Sequence, residues 1–375
     1  MSHDDSRPSP QHFLSLIRQQ QRGRLKIYLG FAAGVGKTYE MLQEGHRLKQ
    51  QGVDVVIGII ETHGRAETAA LVGDLAQVPR RRVEYRGVVV EEMDLDALLA
   101  RRPGVALVDE LAHTNAPGSR NAKRYQDVEL LLHAGINVIS TLNIQHLESL
   151  YDLVEKATGV KVKERIPDYI LGMADQLVNV DVSAEDLRER LQAGKIYPPE
   201  RVEAAMQNFF TEANLTSLRE FALEEIAHRL DRRRTERNGN ESQGGTHRVM
   251  VCLSSRSPNA ERLLRKGARL ADRLNAPWYA VYVQTPREEV HRIDAGTQRQ
   301  ISNTLTLTQH LGGTPMSFKG TDVVTATAAF AKEYGITHAV MGRSRRPWYY
   351  RWFGQSVLER LLLALPEVDV LVVGG

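Results

Sequence analysis

Nothing in this sequence constrains the fold more than the stretch Gly30-Phe-Ala-Ala-Gly34-Val35-Gly36-Lys37-Thr38. It follows an apolar-alternating run, Leu25 to Leu29, and precedes a helix-patterned segment from Tyr39 to Gln51. Strand, glycine-rich loop and helix N-terminus in that order make a phosphate cradle. Glycines let backbone N–H groups converge on an anion, the helix end adds partial positive charge, and Lys37 adds a full one. Thr38 is then placed to hold a magnesium ion that bridges terminal phosphates. The spacing is irregular: the usual loop carries a glycine five residues before Gly36, where Phe31 stands, and Gly30 comes one place too early.

A second landmark supports the first. Val105-Ala-Leu-Val108 feeds two carboxylates, Asp109 and Glu110, about seventy residues after the loop. The first acid suits magnesium and the second suits a polarised water, and alternation along a strand is expected to turn them to different sides. Strand Val53–Ile60 ends in the polar cluster Glu61-Thr-His-Gly-Arg65 and strand Ile136–Leu142 ends at Asn143 and Gln145. Both clusters fall at carboxyl ends of strands, where open α/β sheets gather their ligands. Asn143 or Gln145 is a candidate sensor of the terminal phosphate, with a helix N-cap by Asn143 as the plain alternative. The kinked loop Leu111–Arg120 offers His113, Asn115 and Arg120 either to a nucleotide or to a partner as a lid.

Helix patterns are expected at Glu67–Gln77, Tyr125–His133, Ala184–Gln192, Pro199–Phe210 and Leu215–Arg232, with a last strand at Gln176–Asp181. The stretch from Asp231 to Gly245, rich in Arg, Asn, Glu, Ser and Gly, reads as a linker. From His247 strands and helices alternate again without hairpins, which implies a second parallel sheet of five strands. The expected organisation is a tail at 1–22, a P-loop domain at 23–232, a linker at 233–246 and an α/β domain at 247–375.

Composition excludes several classes. With 375 residues, 42% hydrophobic and 25% charged, the chain suits two soluble globular domains. A net charge of +3 compels no nucleic-acid partner. The single cysteine, Cys252, excludes an intrachain disulfide and suits a reducing compartment. No apolar run reaches membrane-spanning length and the N-terminus is unlike a signal peptide, so a cytoplasmic protein is expected.

These motifs resemble the N-terminal cytoplasmic part of the Kdp potassium-sensor histidine kinases. The likeness lies in Gly30–Thr38 with its displaced glycine, Glu61–Arg65, Asp109-Glu-Leu-Ala-His113-Thr-Asn-Ala-Pro-Gly-Ser-Arg120 and Asn143-Ile-Gln-His-Leu-Glu-Ser149. The second domain is similar to the universal stress protein fold. The resemblance implies a P-loop NTPase-like parallel sheet followed by a universal-stress-protein-like domain in potassium and osmotic signalling. It implies ATP held by Lys37 and the backbone of Gly34, Val35, Gly36 and Thr38, magnesium held by Thr38 and Asp109, and Glu110 orienting water if hydrolysis occurs. Implied partners are a kinase core, a response regulator or a second copy. The family's transmembrane, phosphoacceptor and kinase parts have no counterpart before Gly375, so a short form unable to phosphorylate a histidine by itself is expected. A P-loop ATPase or small-acceptor kinase with an accessory domain is the alternative.

In the second domain, the ATP pattern of universal stress proteins is incomplete. Gly342 and Ser356 fit it, but Arg345 and Gln355 replace two of its glycines, and side chains there obstruct the approach of a phosphate to backbone. Family members that bind cyclic di-AMP carry Ser-x-Ser, twenty residues, then Phe-Thr-Ala-x-Tyr. This chain has Ser255-Arg256-Ser257, twenty residues, then Trp278-Tyr279-Ala280-Val-Tyr282. Hydroxyls would bond phosphates, rings would stack on adenine at about 1 to 3 kcal/mol per base, and Arg256, Arg343, Arg345 and Arg346 would meet the charge. The alternative is that Trp278 to Val283 is plain core. The run Arg345–Phe353, arginines interleaved with aromatics, favours a protein or ligand contact over nucleic acid.

Overall fold

The computed structural model describes residues 22–62, 65–237, 247–255, 259–288, 294–343 and 356–374. Outside them lie residues 1–21 of the expected tail, His63, Gly64, Arg256, Ser257 and the whole run Arg345–Phe353. The chain divides into two compact units: Met1–His146 with Val154–Ile166 and Ile170–Glu224, and Leu147–Leu153 with Pro167–Tyr169 and Glu225–Gly375.

In chain order the first strands and helices are β1 (Leu25–Gly30), α1 (Lys37–Gln50), β2 (Val55–Ile59), α2 (Ala66–Ala70), β3 (Ala76–Gln77), β4 (Arg81–Tyr85), β5 (Val88–Glu92), α3 (Leu95–Arg101) and β6 (Val105–Val108). They continue with α4 (Arg124–His133), β7 (Asn137–Asn143), α5 (Tyr151–Thr158), α6 (Tyr169–Met173), β8 (Gln176–Val180), α7 (Ala184–Gln192), α8 (Pro199–Gln207) and α9 (Glu212–Arg237). Six strands form one parallel sheet in the order β3-β2-β6-β7-β1-β8. The central strands β1, β2 and β6 are near-continuous apolar runs because helices cover both faces of such a sheet. Ile27, Leu29, Leu107 and Val108 are fully buried, and each large side chain of this kind stabilises the fold by about 1.5 to 3 kcal/mol.

This order sets the site. The loop strand β1 and the acid-bearing strand β6 are separated by β7, so the end of β7 projects between the two motifs. Register pairs Gly30 with Asn143, the last residues of their strands.

Two local expectations are corrected, and one hairpin was not foreseen. The helix expected at Glu67–Gln77 stops at Ala70, where a turn through Gly73 at φ 52° leads into the short β3. Between β3 and β6 an antiparallel hairpin, β4–β5, turns at Arg86 and Gly87, both left-handed. The sequence signal is Arg86-Gly87 between Val83-Glu-Tyr85 and the β-branched run Val88–Val90. Helix α9 continues to Arg237, into the stretch read as linker.

The second sheet has five parallel strands, as expected: β9 (Val249–Leu253), β10 (Trp278–Gln284), β11 (Thr314–Lys319), β12 (His338–Gly342) and β13 (Asp369–Val373), in the order β11-β10-β9-β12-β13. Helices α10 (Ala260–Arg273), α11 (Ala295–His310), α12 (Val323–Glu333) and α13 (Val357–Ala364) alternate with them. Two apolar clusters lie on opposite faces, one around Phe330 and Met341, the other around Leu264 and Trp278. Among the described residues no helix is long and apolar enough to cross a membrane.

Candidate nucleotide site at the strand ends

The loop after β1 is held open by its glycines. Gly34 at φ 89° and Gly36 at φ 112° adopt conformations that a side chain disfavours. Gly36 caps α1 with no side-chain hydrogen bond, which leaves the first N–H groups of that helix facing the loop. The early glycine, Gly30, has a packing reason. A Cβ there would meet Val35 Cγ2 at 2.5 Å and Lys37 Cδ at 3.0 Å, so the lysine stem crosses this backbone. Phe31, in the place of the usual glycine, is buried in the core.

Lys37 is buried; its Nζ donates to Ala32 O at 3.0 Å and to Asn143 Oδ1. Burial pulls its pKa down to about 8, against the attraction of Asp109. Thr38 Oγ1 donates to the Asp109 carboxylate at 3.1 and 3.2 Å. Asp109 also accepts from Thr141 Oγ1 and from the Glu61 N–H at 3.3 Å, and burial pushes its carboxyl pKa up. A hydroxyl beside a buried carboxylate is a hard oxygen set of the kind that suits magnesium.

Strand alternation does not orient Glu110, because β6 ends at Val108. Glu110 instead stands at φ 54°, a left-handed position that non-glycine residues seldom adopt. Its N–H is held by Thr141 Oγ1 at 3.0 Å and Asp109 Oδ1 at 3.1 Å. Behind this turn, fully buried Arg124 donates to Asp109 O at 3.0 Å. Buried Glu92 accepts from the Ala116 N–H at 2.7 Å and lies 3.1 Å from His113 Nε2.

Gly34, Gly36, Lys37, Thr38, Asp109, Glu110 and Asn143 line one cavity of about 500 Å³, within the range of small-molecule sites. Gln145 also lines it, with a buried Oε1 that has no hydrogen-bond partner among the described residues. Val35 is buried beneath the loop and offers its backbone only. Of the three residues offered by the 111–120 loop, only His113 reaches the cavity. Asn115 is buried against Asn121 O and Asp127, and Arg120 pairs with Asp96 at 2.9 Å.

His146 of the Asn143–Ser149 motif also lines the cavity, and sequence reasoning missed four further lining residues: Glu164, Tyr197, Pro198 and Arg201. They come from segments far along the chain with no motif spacing. Pro198 opening α8 as its N-cap was the one local signal.

In the second unit the expected messenger residues that are described do not all converge. Trp278 begins β10, paired with Val249, whereas Ser255 follows the far end of β9. Five residues of strand, about 16 Å, separate the two levels. Trp278 is buried beneath Gly313, where a Cβ would meet its ring at 2.4 Å, and Ala280 is buried in the same cluster. Tyr279 packs edge-on against Phe330 and Tyr334 at 5.7 and 5.6 Å on the other face. These three are core rather than a stacking platform. Tyr282 and Ser255 do meet at a small cavity beside α11. Ser255 Oγ donates to Glu288, whose carboxylate also accepts from Thr285 N at 3.2 Å and Thr285 Oγ1 at 3.1 Å. Arg343 is exposed after β12, its N–H bonded to Val373 O at 2.9 Å. Ser356 caps α13 through a reciprocal bond with Glu359.

Comparison with known proteins agrees with this architecture. Residues 21–230 match the osmosensitive K+ channel His kinase sensor domain, and residues 245–374 match the universal stress protein family. A putative sensor protein KdpD of Synechocystis is 47% identical over 95% of both chains. The sensor protein KdpD of Escherichia coli is 42% identical over all of this chain but only 42% of its own length. That of Clostridium acetobutylicum is 37% identical over 98% of this chain and 41% of its own. The chain belongs to the KdpD sensor family, with the family's sensor domain followed by a universal stress protein domain.

Proposed function

We propose that the protein is a cytoplasmic regulator in potassium and osmotic two-component signalling that binds magnesium ATP in a first domain, residues 23–232, and cyclic di-AMP in a second, residues 247–375. The observation that carries the first half is the convergence of Lys37, Thr38, Asp109 and Asn143 on one cavity. Lys37 and the N–H groups from Gly34 to Thr38 would hold phosphates, and Asn143 would exchange its bond to Lys37 for one to the terminal phosphate. Magnesium supplies charge neutralisation between phosphates when bound, and Thr38 with Asp109 would hold it. Partners would be a kinase core, the response regulator or a second copy.

Calorimetric titration of the full chain with magnesium ATP tests this. Micromolar binding lost in Lys37→Ala is expected; equal heats for both proteins would refute it.

The left-handed backbone of Glu110 favours a second reading, slow hydrolysis. Strained non-glycine positions cluster at functional sites, and Glu110 lines the cavity where a water would attack. For the second domain, support is narrower. The family match and the Ser255–Tyr282 corner at the carboxyl edge of the sheet favour a phosphate-bearing ligand there. The separation of Trp278 and Tyr279 into the core removes stacking by those rings from the proposal.

A further inference from the structure

We infer that Arg65 and Arg201 form a clamp, within one chain, that recognises the terminal phosphate of a nucleoside triphosphate in the cavity that Lys37 lines. The inference rests on the nucleotide reading above and names the groups that separate a triphosphate from a diphosphate.

Both arginines line the cavity that holds Lys37, Thr38 and Glu110. Arg65 is the N-cap residue of α2, just beyond the carboxyl end of β2. Its Nε is buried and has no hydrogen-bond partner among the described residues. A buried donor of this kind costs free energy unless something accepts from it. Arg201 lies in the first turn of α8, exposed at its rim, with no ion-pair partner among the described residues.

The segment that carries Arg201 is fastened to the phosphate loop. Arg190 Nη1 donates to Gly34 O at 3.3 Å and to Val35 O at 3.4 Å. Ile196 is buried against Gly34, where a Cβ would meet Ile196 Cδ1 at 2.3 Å. Lys195 bonds Glu67 of α2 at 2.9 Å, which ties this segment to the helix that Arg65 caps. Tyr197, which lines the same cavity, is braced edge-on by Phe210 at 5.8 Å. Its phenol pKa is raised by burial against the opposing charges of Arg65 and Arg201, so the three groups share one electrostatic environment with Glu110.

The chemistry selects phosphate. Magnesium and Lys37 leave a nucleoside triphosphate with net negative charge, concentrated on its last phosphate. Two guanidinium forks lining the same cavity supply planar, charge-assisted donors that match it. Asp109, Glu110 and Glu164 occupy the same cavity, so a cationic ligand is the rival occupant on charge alone. The glycine loop and the uncapped N-terminus of α1 favour the anion.

The test is titration of the full chain with magnesium ATP and magnesium ADP, for wild type, Lys37→Ala, Arg65→Ala, Arg201→Ala and Arg201→Lys. Wild type is expected to prefer ATP. Each arginine-to-alanine change should weaken ATP at least tenfold and ADP less than twofold, with Arg201→Lys intermediate. ATP affinity should not vary with protein concentration. Exposed Arg201 keeps the test valid if Arg65→Ala fails to fold. ATP preference retained in both variants, equal loss of both nucleotides, or affinity that rises with protein concentration would overturn the clamp while leaving the site intact. Wild type and Lys37→Ala binding alike would instead overturn the nucleotide reading, and the clamp with it.

Discussion

Thr38 Oγ1 stands 3.1 and 3.2 Å from the two carboxylate oxygens of Asp109, although 71 residues separate them in sequence. The pair spans the gap between the loop of β1 and the end of β6, across β7. Thr38→Ala and Asp109→Asn each remove one side of this oxygen set. Each is expected to weaken magnesium ATP at least tenfold and to abolish the affinity difference between magnesium and chelator conditions. A full magnesium effect in both variants would refute metal holding by this pair.

Lys37 illustrates a functional group held at a cost to stability. Its buried ammonium has a depressed pKa, so the charge is disfavoured in the folded protein. Lys37→Met is expected to lose nucleotide binding while the ligand-free protein melts at the same temperature or above. A large loss of melting temperature would show that the lysine is chiefly structural.

In the hydrolytic reading proposed above, Glu110 acts on water rather than on the nucleotide. Glu110→Gln should retain ATP affinity within about threefold and lower steady-state phosphate release at least tenfold, the scale on which a positioned base acts. Release at the wild-type rate would remove Glu110 from any catalytic role.

Glu288 occupies the donors that a phosphate would use at Ser255 and Thr285. Glu288→Gln, which removes the negative charge but keeps the shape, is expected to tighten cyclic di-AMP binding to the full chain. Ser255→Ala is expected to weaken it. Absence of binding by both wild type and Glu288→Gln would end the messenger proposal.

Asp168 gives a pH signature of stability. Burial lifts its carboxyl pKa to about 7, opposed by hydrogen bonding from Ser149, whose N–H donates at 3.0 Å. The folded protein therefore binds more protons than the unfolded chain between the ordinary carboxyl pKa and about 7. Stability from this group is full below that window and is lost as pH rises through it. Asp168→Asn, a mimic of the protonated acid, should exceed wild type by a margin that widens from pH 5 to pH 8 in urea denaturation. Parallel pH profiles would refute the assignment.

Much of the first unit was legible because local chemistry and tertiary need coincide there. Gly34, Gly36, Lys37 and Thr38 require one backbone path whatever surrounds them, and the buried strands read as unbroken apolar runs. Expectation failed where long-range packing decided. Trp278 and Tyr279 match a ligand-stacking pattern by spacing, yet their place at the start of β10 commits them to two core clusters. Asn115 and Arg120 lie in a polar loop, yet one is satisfied by Asp127 and the other by Asp96.

By itself the sequence determined that strand, glycine loop and helix would present converging N–H groups, and that an acid pair would end a buried strand. Periodicity and turn chemistry act over a few residues, and they suffice for that. Only the tertiary structure decided that β7 would lie between those strands and bring Asn143 to Lys37. It alone set Glu110 in a left-handed turn and fastened the segment of Tyr197 and Arg201 over Gly34. Those relations depend on strand order and on packing between residues more than a hundred positions apart, which no local pattern encodes.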